Sequence, residues 1–185
     1  HADPVAPPAT ISANDAYTRV TVRGRYVPDA SSLTQAATAR GSGYWVLSPL
    51  IADSGQTILI NRGFVNERRV PPVPPGEQRV TGLLRLSEPD GGFLRDNDPA
   101  ADRWYSRDVP AIAAKRGLGD IAPYFIDAEA GAPDPGQPIG GLTVINFANN
   151  HLVYAITWYI LAAMAAAALI YLIRNRRRPP GGGTA

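Results

Sequence analysis

The chain has 185 residues, no cysteine, two histidines and a formal net charge of +2. The missing cysteines exclude a disulfide framework, a thiolate zinc site and a cysteine nucleophile. Four of the 18 basic residues lie beyond residue 173, leaving 14 against 16 acids in the rest, so the basic balance marks one end of the chain and implies no nucleic-acid partner.

Residues 1–16 open with HADPVAPPAT and read as an extended Pro/Ala-rich lead-in. The stretch 17–148 then reads as one mostly-β domain. In YTRVTVRGRYV, 17–27, Val20 and Val22 alternate with Arg19, Thr21 and Arg23, the pattern of a half-buried strand. A polar connection is expected over 28–43. YWVLSPLI, 44–51, and TILINRGFV, 57–65, form a hairpin around Asp53-Ser54-Gly55. PPVPPGE, 71–77, is a stiff polyproline-type link. In QRVTGLLRLS, 78–87, Val80, Gly82, Leu84 and Leu86 share one face, and Gly82 predicts a bulge or a bend of the kind that curls a small sheet toward closure. One short helix is expected in SRDVPAIAAKRGLG, capped by Ser106 or Asp108, with Pro110 in its first turn and Gly117 at its end. PYFIDAE, 123–129, and LTVINF, 142–147, are the last two strands. The sum is a small, barrel-like antiparallel domain with one short helix.

Leu152 to Ile173 is a run of 22 uncharged residues. As a helix it is about 33 Å long, enough to cross a hydrocarbon core of about 30 Å. With its cap it occupies 149–173, and 174–185 form a basic tail. Arg174, Arg176, Arg177 and Arg178 follow the run, whereas no Lys or Arg precedes it back to Arg116. The positive-inside rule therefore puts the tail in the cytoplasm or the mitochondrial matrix and the β domain outside, with the lipid bilayer as one partner. The alanine-rich stretch 162–168 offers a small-residue face to another helix.

Catalytic motifs are missing: the chain has no nucleophile elbow, no HExxH and no phosphate loop. Asp96, Asp98 and Asp102 read as a solvated loop with a turn at Asp98-Pro99. His151 stands one residue before the apolar run and has two readings. In one, it joins Asn149 and Asn150 in capping the helix. In the other, its neutral imidazole is an axial ligand of haem iron, with Tyr154 and Trp158 at i+3 and i+7 on the same face. For those aromatics the alternative is the interfacial belt. Arg62 is either a partner of a haem propionate or a member of a structural ion pair.

YWVLSPL, TILINRGFV, NDPAADRWYSRDVPAIA and GGLTVINFANNHLVYAITWYILA, in this order, resemble the signatures of the Surfeit-locus family of cytochrome c oxidase assembly factors. The resemblance runs from about residue 17 to the end of the apolar run. It implies a non-enzymatic membrane protein that assists maturation of haem-copper oxidases, binds haem a transiently and passes it to the catalytic subunit. The implied partners are that subunit and the haem a synthesis machinery. His151 occupies the family's proposed haem-ligand position, and Tyr154, Trp158 and Arg62 are the other candidate contacts. Trp45, Arg103, Trp104 and Tyr105 look like signature residues that shape the domain. The implied location is the bacterial or the mitochondrial inner membrane, with the β domain in the periplasm or the intermembrane space; the absence of cysteine, the Ala/Arg-rich composition and the Gly-rich tail point to the bacterial inner membrane and the periplasm. Family members also carry a second membrane helix near the N-terminus, and a chain without an initiator methionine is expected to lack it through truncation. The alternative function is a cofactor-free scaffold for nascent oxidase subunits.

Overall fold

The computed structural model describes residues 3–8, 11–38, 40–89, 91–92, 95–131, 134–142 and 151–176, without the side chains of 151–154, 175 and 176. The strands are β1 (Arg19–Tyr26), β2 (Ser32–Thr38), β3 (Gly41–Ala52), β4 (Thr57–Val65), β5 (Glu77–Leu86) and β6 (Ile121–Ala128). The helices are α1 (Val109–Arg116) and α2 (His151–Arg176). Two compact units result, residues 1–143 and 144–185.

The first unit is a closed five-stranded barrel. Its order is β1-β5-β6-β4-β3, and β3 returns to β1 through Gly24↔Ala52 to Tyr26↔Leu50. β2 lies outside the ring, paired with the first half of β3 from Gly41 to Leu47. The long strand β3 thus changes neighbour along its length, from β2 to β1. Every pairing is antiparallel except β4 with β6. Closure leaves the ring without a free edge.

Side-chain alternation builds two cores. Val20, Val22, Leu50, Ile58, Ile60, Val80, Leu84, Tyr124 and Ile126 fill the barrel. Leu47, Leu59 and Phe125 point the other way and pack with Trp104, Val109 and Ile112 beneath α1. β4 and β6 are buried on both faces, which is why their sequences run apolar without alternating. α1 ends as expected: Asp108 accepts from the Ala111 amide at 3.1 Å, Pro110 sits in the first turn, and Gly117 closes the helix in the left-handed region.

Four expectations change. Residues 28–43 are not a plain polar connection but hold β2 and the start of β3. The buried face of β2 is Ser32, Thr34 and Ala36, small side chains that carry no hydrophobic signal, so pairing rather than burial of bulk forms the strand. Gly82 makes no bulge, since the register of β5 is unbroken on both sides. A Cβ there would lie 2.2 Å from the Asp127 carbonyl oxygen, so the glycine permits the close approach of strands that closure demands. Leu86, expected inside, is exposed at the strand end. The lead-in is not simply extended: Val5 bridges Val20, and Ala13–Asp15 form a single 3-10 turn capped by Ser12. The strand expected over 142–147 and the asparagines 149 and 150 lie outside the described residues.

In the second unit, Ala155–Arg174 is a helix long and apolar enough to cross a membrane, and none of the residues in its apolar window is buried. At about 1.5 Å per residue, 20 residues match a hydrocarbon core of about 30 Å.

Candidate functional site

The segment Asn61-Arg62-Gly63-Phe64 closes β4, and each residue makes a different contact. Period-two alternation puts Arg62 on the same face as Ile58 and Ile60, at the mouth of the barrel. Arg62 is only 9% exposed. Its guanidinium donates to the Pro71 carbonyl at 3.1 Å, to the Pro72 carbonyl at 2.8 Å and to the Gln137 side-chain oxygen, and it lies 5.7 Å from the centre of the Tyr26 ring. Among the described residues no carboxylate pairs with it. Arg62 therefore pins the polyproline link and the 137–141 segment to the barrel mouth with neutral acceptors. Burial lowers its pKa from the ordinary guanidinium value, against the opposing pull of Tyr26. Burial pushes the Tyr26 hydroxyl up to about 12, again against Arg62, so this phenol stays protonated at neutral pH.

Gly63 has φ 128, a region closed to other residues, and a Cβ would sit 2.3 Å from the Ile139 carbonyl oxygen. Next to it, Phe64 and Ile139 exchange two backbone hydrogen bonds of 2.9 Å, and Trp45 packs edge-on against the Phe64 ring at 5.9 Å. Gly141 donates to the Ala128 carbonyl at 3.2 Å. The end of β4 is thus a dock for the chain that leaves the barrel. Beside it, a groove of about 570 Å3 runs between Tyr26 with Arg25 and the proline wall from Pro71 to Pro75.

On the opposite face of β4, Asn61 donates to Asp127 at 2.8 Å and accepts from the Gly63 amide at 3.1 Å. Asp127 is 2% exposed and also meets Arg85 at 3.0 Å and Arg107 at 3.4 Å. Glu88 joins both arginines, at 3.4 Å and 2.6 Å. Arg107 lies over the Phe125 ring at 4.8 Å. A buried carboxylate held by two arginines and an amide is tolerable only because its lone pairs are occupied.

Of the residues singled out from the sequence, His151 is the first residue of α2, with Tyr154 three and Trp158 seven positions on. The side chains of His151 and Tyr154 lie outside the described residues. Trp158 is 69% exposed on the helix surface. Arg62 belongs to the other unit. Trp104 is core, 2% exposed, and Arg103 pairs with Asp98 at 2.8 Å. Tyr105 stacks beneath Arg95 at 5.5 Å. Asp98 and Asp102 are each tied to an arginine, while Asp96 stays exposed.

A SURF1 family profile matches residues 1–163, which takes in the whole barrel unit and the first half of α2. The chain belongs to the SURF1 family. It is 41% identical over 129 residues to Surfeit locus protein 1 of Rattus norvegicus, covering 66% of this chain and 41% of the relative. To the same protein of Xenopus tropicalis it is 38% identical over 142 residues, 73% of this chain and 45% of the relative. To a SURF1-like protein of Monosiga brevicollis it is 35% identical over 182 residues, 85% and 69%. The chain thus spans two fifths to somewhat under half the length of the first two relatives.

In this SURF1 chain the Asp127 network is what sequence reading missed. One signal was available: Asp127 interrupts an apolar strand read as PYFIDAE, and a charge inside such a run needs a partner. The partners, from β4, β5 and the segment before α1, are far apart in sequence. The docking of Gln137 and Ile139 on β4 carried no comparable signal.

Proposed function

We propose that this SURF1 chain is a membrane-anchored, non-enzymatic assembly factor for haem-copper cytochrome c oxidase that holds haem a transiently and assists its insertion into the catalytic subunit. The observation that supports it is that an apolar, membrane-length helix opens on His151, with Tyr154 and Trp158 spaced along one face. The donor chemistry fits the cargo. Haem needs one or two axial donors rather than a ligand cluster, and a neutral imidazole is a common one. In this reading His151 is the one ligand that the helix supplies. Its imidazole would ligate the iron, and Trp158 would offer an apolar ring to the macrocycle. A single axial ligand suits a carrier that must release its cargo. The arginines from Arg174 onward support a reading with the tail on the inner side of the membrane and the barrel on the outer side, the cytoplasm and periplasm of a bacterial inner membrane in this proposal.

The second reading is a scaffold for nascent oxidase subunits that carries no cofactor. It is favoured by six alanines in the seven residues 162–168, which let another helix approach closely. Co-expression with the haem a synthesis enzymes, purification in mild detergent and a visible spectrum decide between them. Wild type carrying haem a and His151→Ala losing it, at equal folded yield, is the expected result. Equal spectra in the two proteins, or no colour in either, would transfer the role to the scaffold.

A further inference from the structure

The outer wall of the barrel carries an arginine pair that the fold does not use. In β1, Arg23 and Arg25 alternate with the buried Val22 and Gly24 and so point away from the barrel interior. Antiparallel register sets Arg79 of β5 directly opposite Arg23, and both are exposed. Side chains opposed in this way have Cβ atoms about 5 Å apart, so the two guanidiniums can reach one anion. Like charges so placed destabilise a sheet. Arg79 donates its Nε to the neutral Thr21 hydroxyl at 3.4 Å, which leaves its two terminal nitrogens for another acceptor. Among the described residues the guanidiniums of Arg23 and Arg25 have no hydrogen-bond or ion-pair partner. Two acids border this face. Glu77 lies opposite Arg25, and the Asp53 amide donates to the Arg23 carbonyl at 3.0 Å, yet neither carboxylate forms an ion pair among the described residues. Ile51 of β3 is the other register partner of Arg25, shares the face and is 48% exposed. Up to residue 173 the chain has 16 acids against 14 bases, so the concentration of arginine here is local.

We propose that this face docks on a bilayer surface rich in anionic phospholipid, with Arg23 and Arg79 donating to a headgroup phosphate, Arg25 adding charge and Ile51 meeting the interface. Guanidinium and phosphate form charge-assisted hydrogen bonds, and an apolar side chain bordered by cations suits the boundary between water and lipid. The occupant follows from the rest of the chain. Eight residues, 143–150, join the described part of the barrel to α2, at most about 30 Å of extended chain, so a bilayer crossed by the helix is within reach. The proposal rests on the reading of α2 as a membrane span and makes no use of His151 or of haem.

Because the chain has no cysteine, one introduced cysteine carries one fluorescent label. Ile51→Cys reports on the face, and Ser42→Cys, exposed at the opposite end of β3, reports away from it. The full chain is placed in nanodiscs of phosphatidylcholine alone or mixed with phosphatidylglycerol, and quenching by the neutral, water-soluble acrylamide is measured. Quenching at position 51 should fall about twofold in the anionic discs and recover in the double variant Arg23→Gln, Arg79→Gln and at high salt. The label at 42 should not respond to the lipid, and Arg40→Gln, which removes the same charge elsewhere, should leave the effect at 51 intact. Circular dichroism checks that each variant keeps the barrel. The proposal is overturned if quenching at 51 is the same in both lipids, if the double variant behaves like wild type, or if the label at 42 is protected equally. A chain that does not co-elute with the nanodiscs would overturn the membrane-span reading itself, and the proposal with it.

Discussion

Trp104 and Trp158 are the same side chain in opposite surroundings. Trp104 is 2% exposed and packs beneath α1, with its indole N–H given to Asp102 at 2.8 Å. Trp158 is 69% exposed on a helix whose neighbours Tyr159, Leu161 and Ile160 are exposed as well. The contrast extends to the units around them. The barrel buries even its polar groups, Asn61, Arg62 and Asp127, and satisfies each one. The helix exposes even its largest apolar groups and closes its backbone hydrogen bonds internally. One chain is therefore written for two solvents. In water a polar atom buried without a partner costs free energy, and among the described residues Thr34 Oγ1 is the one buried side-chain atom left so, while in lipid an apolar surface needs no partner.

The sharpest way to break this comparison is to truncate both tryptophans. Trp104→Ala should cost the barrel about 3–5 kcal/mol, through lost burial and the cavity left behind. Trp158→Ala should leave barrel stability unchanged within about 0.5 kcal/mol. Urea unfolding in detergent, followed by circular dichroism, measures both. Equal losses would mean that the stability of the barrel depends on Trp158 as much as on its own core and that the contrast between the two side chains is false.

A smaller effect tests the claim that a polar group buried without a partner costs free energy. Asp127→Asn keeps the shape and the amide contact with Asn61 but removes the charge between Arg85 and Arg107. Glu88 still neutralises one arginine, so the expected loss is about 1.5–3 kcal/mol, the worth of hydrogen bonds to a charged group. A loss below about 0.5 kcal/mol would show that water reaches the network and that Asp127 is not locked.

These residues also show what a sequence discloses. β4 was legible to the residue, since TILINRGFV, rich in Ile, Val and Phe, follows the Asp53-Ser54-Gly55 turn and ends before a polar stretch. α1 was legible because its punctuation is local: Asp108, Pro110 and Gly117 act within one or two turns. α2 was legible from length and apolarity alone. β2 was hidden because its buried face is Ser32, Thr34 and Ala36, whose burial leaves no hydrophobic period. At the candidate site, His151, Tyr154 and Trp158 stood out through helical spacing. Arg62 stood out within the NRGFV signature as a candidate partner of an anion, but its acceptors could not be anticipated: they are backbone carbonyls of Pro71 and Pro72 and the side chain of Gln137, 75 residues away. Long-range pairing of polar groups is set by closure of the barrel, and a linear pattern does not encode it.

The smallest expected effect lies at the rim of the second core and depends on pH. Asp102 receives the Trp104 indole N–H and both oxygens accept from Arg116, at 2.8 and 2.7 Å. Burial pushes its pKa up, but the hydrogen bonds from Trp104 and Arg116 and the charge of Arg116 outweigh that and hold it below 3.8. A carboxylate depressed by folding stabilises the native state at pH above its unfolded value, and that gain disappears as pH falls through the native value. In Asp102→Asn the amide oxygen still accepts from Trp104, so only the charged pair with Arg116 is lost. The Asp102 side chain is 40% exposed, so the pair is partly screened and the cost at neutral pH should stay below about 1 kcal/mol. Urea midpoints of wild type and variant should differ above pH 3.8 and converge below it. A difference that persists unchanged to about pH 2 would mean that the variant loses packing around Trp104 rather than charge, and the rim would then belong to the core it borders.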